Sequence, residues 1–416
     1  MMTRRQALAA GTGLFAGVGL ACAPSPGRTV KAPSLRRGVN IHHLLNWPRH
    51  SREQPLDYVW PPFADPGHSL DAGTLPALKD AGFSFIRLTL DPAIFMASDG
   101  ARLQTLVDIA TTRLQQILAA GFEAVLDLHP VAENPAYAPA RLTAADAPAF
   151  ADYRATVTLL AGALKELAAD RVALELMNEP QPTGADAAAR WRGMLAQLHA
   201  AARGAAPDLA LVLSGANWSS AQALSEIDTS PFRGSNVLYT FHYYEPHIFT
   251  HQGFANSRPE RYFEGLLWPP RSEQFTPMSA QLRDKVMADP AVAAPEAGAR
   301  AEKALAAYMS LGDAAAKIRD DFARVGQWAK AKGVGPERVV LGEFGAYQSW
   351  PETPAQRRSR LDWLATVRRA AEAEGFGWAY WALKDGSGVS GGFRLSPAGA
   401  GAGFDPDILH ALFDRA

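Results

Sequence analysis

The stretch Val172-Ala173-Leu174-Glu175-Leu176-Met177-Asn178-Glu179-Pro180 decides how the chain is read. Its start has the length and apolar content of a buried strand, and it runs into an asparagine and a glutamate. Burying a lone charge is costly. A carboxylate at the end of such a strand therefore needs a reason to be there.

Working outward, seven other runs have the same form. Gly38 to Ile41, Phe85 to Leu90 and Ala124 to His129 come before it. Leu211 to Ser214, Val237 to His242, Val339 to Glu343 and Trp378 to Trp381 come after it. Helix-period segments lie between them, for instance Arg102 to Ala120, Phe150 to Ala169, Ala187 to Ala205 and Ala355 to Glu374. Gly82, Gly121, Gly333 and Gly375 stand just past such segments, where a helix commonly closes on a left-handed residue. The alternation predicts an α/β fold, and eight strands predict a (β/α)8 TIM barrel. A doubly wound open sheet is the rival, but it would more often carry a Gly-rich phosphate loop near its start. One segment breaks the rhythm. Tyr243 to Gly298 is long, aromatic and Pro-bearing, and is expected to be a long loop inserted after the sixth strand, at the C-terminal rim.

With 41 Lys and Arg against 42 Asp and Glu, the formal charge is −1, so nothing points to nucleic acid or an anionic membrane surface. The 416 residues suit one barrel with insertions. No motif calls for a cofactor, and a monomer is expected.

The N-terminus reads differently. Thr3-Arg4-Arg5-Gln6-Ala7-Leu8 precedes an apolar stretch, Ala9 to Ala21, too short for a comfortable membrane span. Residues 1–22 look like a twin-arginine export signal. A short basic helix is the alternative, weakened by Gly11, Gly13, Gly17 and Gly19. Cys22 is the only cysteine, so no disulfide forms within a monomer. Gly19-Leu20-Ala21-Cys22 resembles a bacterial lipobox, with Gly19 where a larger aliphatic residue is usual; an ordinary cleavage region containing Cys22 is the competing reading. Residues 23–34 read as a Pro-rich tether and 35–416 as the folded region. The expected location is outside the cytoplasm: periplasmic, held to the envelope by a lipid on Cys22, or secreted.

Arg87, His129, Asn178, Glu179, His242, Glu343 and Trp381 all fall at or near predicted strand ends. In a barrel, such residues converge on one rim. Two are glutamates, on the fourth and seventh strands, which face each other across an eight-strand ring. Glycoside hydrolysis needs two such carboxylates, one protonated to help the leaving oxygen depart and one ionised to attack or to activate water. Chemistry alone does not say which is which.

Leu176-Met177-Asn178-Glu179-Pro180 resembles the Asn-Glu-Pro signature of glycoside hydrolase family 5, the cellulase family of clan A, and Gly342-Glu343-Phe344-Gly345 resembles its strand-seven signature. The resemblance runs from about Arg37 to the C-terminus. It implies Glu179 as acid/base and Glu343 as nucleophile of a retaining enzyme, with carboxyls roughly 5–5.5 Å apart. It also implies Asn178 on the sugar 2-hydroxyl, Arg87 beside the nucleophile, and His129 lining the −1 subsite. His242 would contact the acid/base, Tyr244 the nucleophile, and Trp381 would floor the −1 sugar. Glu179 is expected to have a raised pKa.

Trp47, Trp60, Trp218, Trp268 and Trp350 fall in predicted loops, where each is either a sugar platform or an anchor packed on the barrel. Trp218 is the best platform candidate, with Asn217 a weaker polar contact beside it. His43 is a candidate to reach the −1 sugar, and Asn40 reads as structural. A zinc site built from His42, His43, His129, His242, His247 and His251 is weighed and set aside, because no His-x-His occurs at strand one. A glycan-binding barrel without activity would not need both carboxylates. The expected substrate is a β-linked glucan cut as by an endo-β-1,4-glucanase, with an exo-β-glucosidase or a β-mannanase as alternatives. Lacking an appended carbohydrate-binding module, the chain is expected to act on soluble or self-made exopolysaccharide rather than crystalline cellulose.

Overall fold

The computed structural model describes residues 31–52, 57–167, 170–254, 259–290, 294–349, 351–384, 391–396 and 403–414. The expected export signal, Cys22 and most of the tether lie outside the described residues, as does Trp350. Eight parallel strands close into a barrel. They are β1 (Arg37–Leu45), β2 (Phe85–Leu90), β3 (Glu123–Leu128), β4 (Val172–Glu175), β5 (Ala210–Ser214), β6 (Val237–His242), β7 (Val339–Phe344) and β8 (Gly377–Tyr380). β8 pairs with both β7 and β1, which closes the ring. The predicted (β/α)8 architecture is the observed one.

Period-two alternation sorts each strand into two faces. Ile86, Leu88, Leu90, Leu126, Leu128, Leu174, Leu211 and Leu213 point outward and are buried under the helices. Phe85, Val125, Ala173, Val212, Leu238, Val340 and Ala379 point inward and form a separate apolar layer at the N-terminal mouth, plugged by Leu35. Gly38 makes this layer possible, since a Cβ there would lie 2.4 Å from the Phe85 ring. The helices Gly100–Ala119, Phe150–Leu164, Ala187–Ala205, Ala314–Lys332 and Pro354–Ala373 wrap the outside. Gly82, Gly121, Gly333 and Gly375 all have positive φ, as the helix-stop reading requires.

Two expectations change. β4 stops at Glu175, so Asn178 and Glu179 lie beyond its ladder. Backbone bonds from Leu176 N to Val212 O (3.2 Å) and from Asn178 N to Leu128 O (2.8 Å) still carry them up the barrel wall. The segment after β6 is not one long loop. It contains short turns and then two helices, Phe275–Ala288 and Ala294–Met309. These bury Leu282, Val286, Ala301, Leu305 and Tyr308. An apolar stripe at Ala297, Ala301 and Leu305 has helical spacing and explains why this stretch folds instead of looping. Among the described residues of this segment, those that line the cleft lie at its beginning, between Tyr243 and Phe254.

Candidate active site

One rung above the apolar layer, the inward positions change character. Phe85 is followed by Arg87, Val125 by Asp127, Ala173 by Glu175, and Leu238 by Thr240 and then His242. Arg87 is 1% exposed. Its Nε and Nη2 donate to both oxygens of Glu175 (2.8 and 2.9 Å), and Nη1 donates to Glu343 Oε1 (2.7 Å) and Asn40 Oδ1 (2.9 Å). Nη2 also donates to Asn178 Oδ1 (2.9 Å) and lies 3.0 Å from Asp127 Oδ2. One guanidinium thus gathers three carboxylates and fixes two amides. Asn40 is structural, as expected, and its Nδ2 also donates to Gly342 O (3.0 Å). Gly342 is required in its own motif, since a Cβ there would lie 2.5 Å from Thr240 Oγ1 and 3.3 Å from His242 Nε2.

Glu343 is 4% exposed and takes a second donor, the Tyr244 hydroxyl, at 2.9 Å. Glu179 stands opposite on a strained backbone (φ 42°), with its side chain 26% exposed. Its protein partner is His242 Nδ1 at 2.9 Å, and the same nitrogen lies 3.6 Å from Glu343 Oε2. Oxygens of the two glutamates and a ring nitrogen of His242 all lie within 4.8 Å of one another. Burial pushes both carboxyls up, each to about 7. Their counterweights differ. Arg87 and Tyr244 hydrogen-bond Glu343 directly, which favours the first negative charge of this coupled pair at Glu343. Burial and Glu343 hold the Tyr244 hydroxyl well above its usual range, so it remains a donor. Burial drives the His42 and His129 imidazoles well below theirs, so both are neutral.

His129 Nδ1 lies 2.7 Å from Asp127 Oδ2, and its ring stacks on Trp381 at 5.7 Å and 13°. Arg87, His129, Asn178, Glu179, His242, Tyr244, Glu343 and Trp381 therefore form one connected group. His43 does not join it, because its Nε2 is 3.2 Å from Ser69 O. The neighbouring His42 turns inward instead, 4.7 Å from both His129 and Trp381, and 4.3 Å from Trp47. Sequence reasoning chose the wrong member of this pair and passed over Asp127 and Glu175. Period two, counted up from Phe85 and its neighbours, was the signal that finds them.

A cavity of about 920 Å³ opens over Glu179, His242 and Tyr244 and runs past Trp218 and Gln222 to Leu311, Lys317 and Arg324. Trp218 is 54% exposed on its wall. Trp268 is 5% exposed, an anchor and not a platform, while Trp60 packs under Arg102 at 5.1 Å. Among the described residues, His242, His247 and His251 do not converge as a metal site. His247 and His251 stack on each other at 3.7 Å, and His247 pairs with Glu260 at 3.0 Å.

A closed parallel barrel carrying facing carboxylates at its C-terminal rim is an arrangement that hydrolysis of glycosidic bonds can use. A family model described as Cellulase (glycosyl hydrolase family 5) matches residues 67–387, and the chain belongs to that family. Among individual relatives, Endoglucanase 3 of Fibrobacter succinogenes (strain ATCC 19169 / S85) is 24% identical over 228 residues, covering 53% of this chain and 30% of that protein. The chain thus spans under a third of that relative's length. Among solved structures, cellulose synthase subunit Z of Clostridioides difficile is 21% identical with TM-score 0.64, over 91% of this chain and 99% of that one. Thermotoga maritima Cel5A, solved with cellobiose, is 20% identical with TM-score 0.64, over 91% and 98%. The same protein, solved with mannotriose, gives 19% and 0.65, over 91% and 98%. At these identities the solved structures speak to the fold.

Proposed function

We propose that the protein is a retaining endo-β-1,4-glucanase that works by double displacement, with Glu343 as nucleophile and Glu179 as acid/base. The observation that carries this reading is the unequal setting of two facing carboxylates whose oxygens lie within 4.8 Å. That spacing suits direct attack and leaves little room for the intervening water an inverting enzyme needs. Glu343 is held as an anion by Arg87 and Tyr244. It attacks the anomeric carbon and forms a glycosyl ester while Glu179 gives its proton to the departing oxygen. Glu179, now a carboxylate, takes a proton from water, and that water displaces Glu343 from the sugar. Asn178 donates to the 2-hydroxyl, Trp381 and His129 shape the −1 subsite, and Trp218 offers a stacking face along the cleft.

The endo reading is supported by a cleft that continues from Glu179 past Trp218, with room for more than one sugar on that side of the scissile bond. Mannan is the second substrate to test, because a structural relative was solved with mannotriose. Export through residues 1–22 remains part of the proposal, with Cys22 either a lipid anchor or part of an ordinary cleavage region. The decisive experiment incubates the barrel from Leu35 onward with β-glucans, β-mannan and short β-oligosaccharides, and follows products by chromatography and anomeric NMR. Mixed oligosaccharides from β-1,4-glucan with retained β-configuration are expected. Release of monosaccharide alone, or of α-products, overturns the endo or the retaining reading respectively.

A further inference from the structure

We propose that Asp127 is a positioning residue: by holding the His129 proton on Nδ1, it fixes which edge of the Asn178 amide faces the sugar 2-hydroxyl. This rests on the glycosidase reading above and adds to it a residue that touches no substrate.

The argument follows a chain of donors and acceptors. Asp127 is fully buried, and its Oδ2 meets both His129 Nδ1 (2.7 Å) and Arg87 Nη2 (3.0 Å), while its Oδ1 has no partner among the described residues. An ionised carboxylate only accepts, so a neutral His129 must carry its proton on Nδ1. Its Nε2 is then a bare acceptor, 3.3 Å from Asn178 Nδ2. At the other end of that amide, Asn178 Oδ1 takes a hydrogen bond from Arg87 Nη2 at 2.9 Å. The amide is therefore locked from both ends, oxygen toward Arg87 and nitrogen toward His129, with one N–H left to point into the cleft. Stacking on Trp381 keeps the His129 ring from turning over.

The reverse arrangement fails. If Asp127 Oδ2 instead donated to Nδ1, the ring proton would move to Nε2. Two donors, Nε2–H and the Asn178 amino group, would then face each other. Asn178 could not flip to relieve this, because its amino group would meet the Arg87 guanidinium. Oδ2 acting as an acceptor is the arrangement that satisfies all four groups. A buried carboxylate that sets a histidine tautomer changes rate without touching substrate.

The test compares an aryl β-cellobioside with its analogue lacking the 2-hydroxyl on the sugar next to the scissile bond, each normalised to its spontaneous hydrolysis. Wild type, Asp127→Asn, Asn178→Ala and the double variant are measured. Wild type is expected to favour the 2-hydroxy substrate. Asp127→Asn is expected to lower kcat by about 10–100-fold with little change in KM, to shrink that preference, and to add little to Asn178→Ala. Equal loss on both substrates would mean a purely structural role and overturn the proposal. A wild type that cleaves neither glycoside would sink the glycosidase reading first. Should Asp127→Asn fail to fold, ¹⁵N NMR of the His129 ring in wild type decides alone: a proton on Nδ1 is expected, and a proton on Nε2 refutes it.

Discussion

The two ends of the barrel interior are built from the same strands one rung apart, and they have opposite chemistry. At the N-terminal mouth, Phe85, Val125, Ala173, Leu238 and Val340 pack under Leu35 with no charge among them. Two residues further along, Arg87, Asp127 and Glu175 replace them, joined by Glu343 from β7. The lower layer is a hydrophobic plug whose worth scales with the area it removes from water. The upper layer costs desolvation and is held together by one guanidinium. The ring is thus stabilised at one end and puts its expensive groups at the other, where the chain leaves each strand for a loop.

The largest expected effect lies in the upper layer. Glu343→Gln and Glu179→Gln should each lower kcat by roughly 10³-fold or more, about 4 kcal/mol in the barrier, while thermal unfolding moves little. The pH profile sharpens the point. The active form holds one proton on the pair, so kcat/KM should be bell-shaped with its maximum near the value of about 7 to which burial brings both acids. Raising pH strips the proton from Glu179, and lowering pH protonates Glu343. Glu179→Gln should erase the alkaline limb; a residual limb of full size there would remove Glu179 from the role of acid.

Arg87→Met should break the layer itself. It leaves Asp127, Glu175 and Glu343 buried without their cation, a loss of about 3–5 kcal/mol in stability along with nearly all activity. The sign with pH is specific. Burial already raises the Asp127 carboxyl to about 7 and raises Glu175 too, with Arg87 opposing both. Carboxyls whose folded pKa lies above the unfolded value favour the folded state when protonated, and that support is lost as pH rises from their ordinary range toward 7. Removing Arg87 raises them further. Urea midpoints should therefore show a larger deficit at pH 8 than at pH 5, and an equal deficit at both would mean the carboxylates are not coupled to Arg87.

Much of this contrast was legible in the sequence. Eight apolar runs with polar ends gave the barrel, and the two motifs around Glu179 and Glu343 gave the rim. Asp127 and Glu175 were harder to see. They sit between leucines near the ends of β3 and β4, where a charge looks like an error until the other strands show that the same rung is charged around part of the ring. The choice between His42 and His43 follows the same period, since Gly38, Asn40 and His42 share the inward face of β1. The helices in the insertion were masked by aromatic, Pro-bearing sequence ahead of them.

The lower layer offers the converse experiment. Leu35→Ala should cost about 2–3 kcal/mol, because Leu35 is 2% exposed and its loss leaves a cavity under Phe85. Turnover should be unchanged in the folded fraction. A fall in kcat with full folding would mean that the plug also sets the height of the charged layer.

The smallest effect is expected outside both layers. Phe85 and Trp218 are aromatics at opposite ends, one fully buried and the other 54% exposed. Trp218 is held out by an unusual backbone: Asn217, Trp218 and Ser219 have φ of 54°, 55° and 53°, a left-handed run that is costly for residues with a side chain. The run is anchored at Pro180 O by Trp218 N (3.3 Å) and buries Ser219, so the same turn that seats this loop on the barrel holds the indole out over the cleft. Trp218→Ala should leave unfolding nearly unchanged, since an exposed side chain contributes little packing. It should weaken binding of longer oligosaccharides by about 1 kcal/mol, near fivefold in KM, as the loss of one stacking face predicts. The shortest substrates, which do not reach Trp218, should be cut as before. A KM rise of the same size for every chain length would instead place Trp218 at the scissile bond itself.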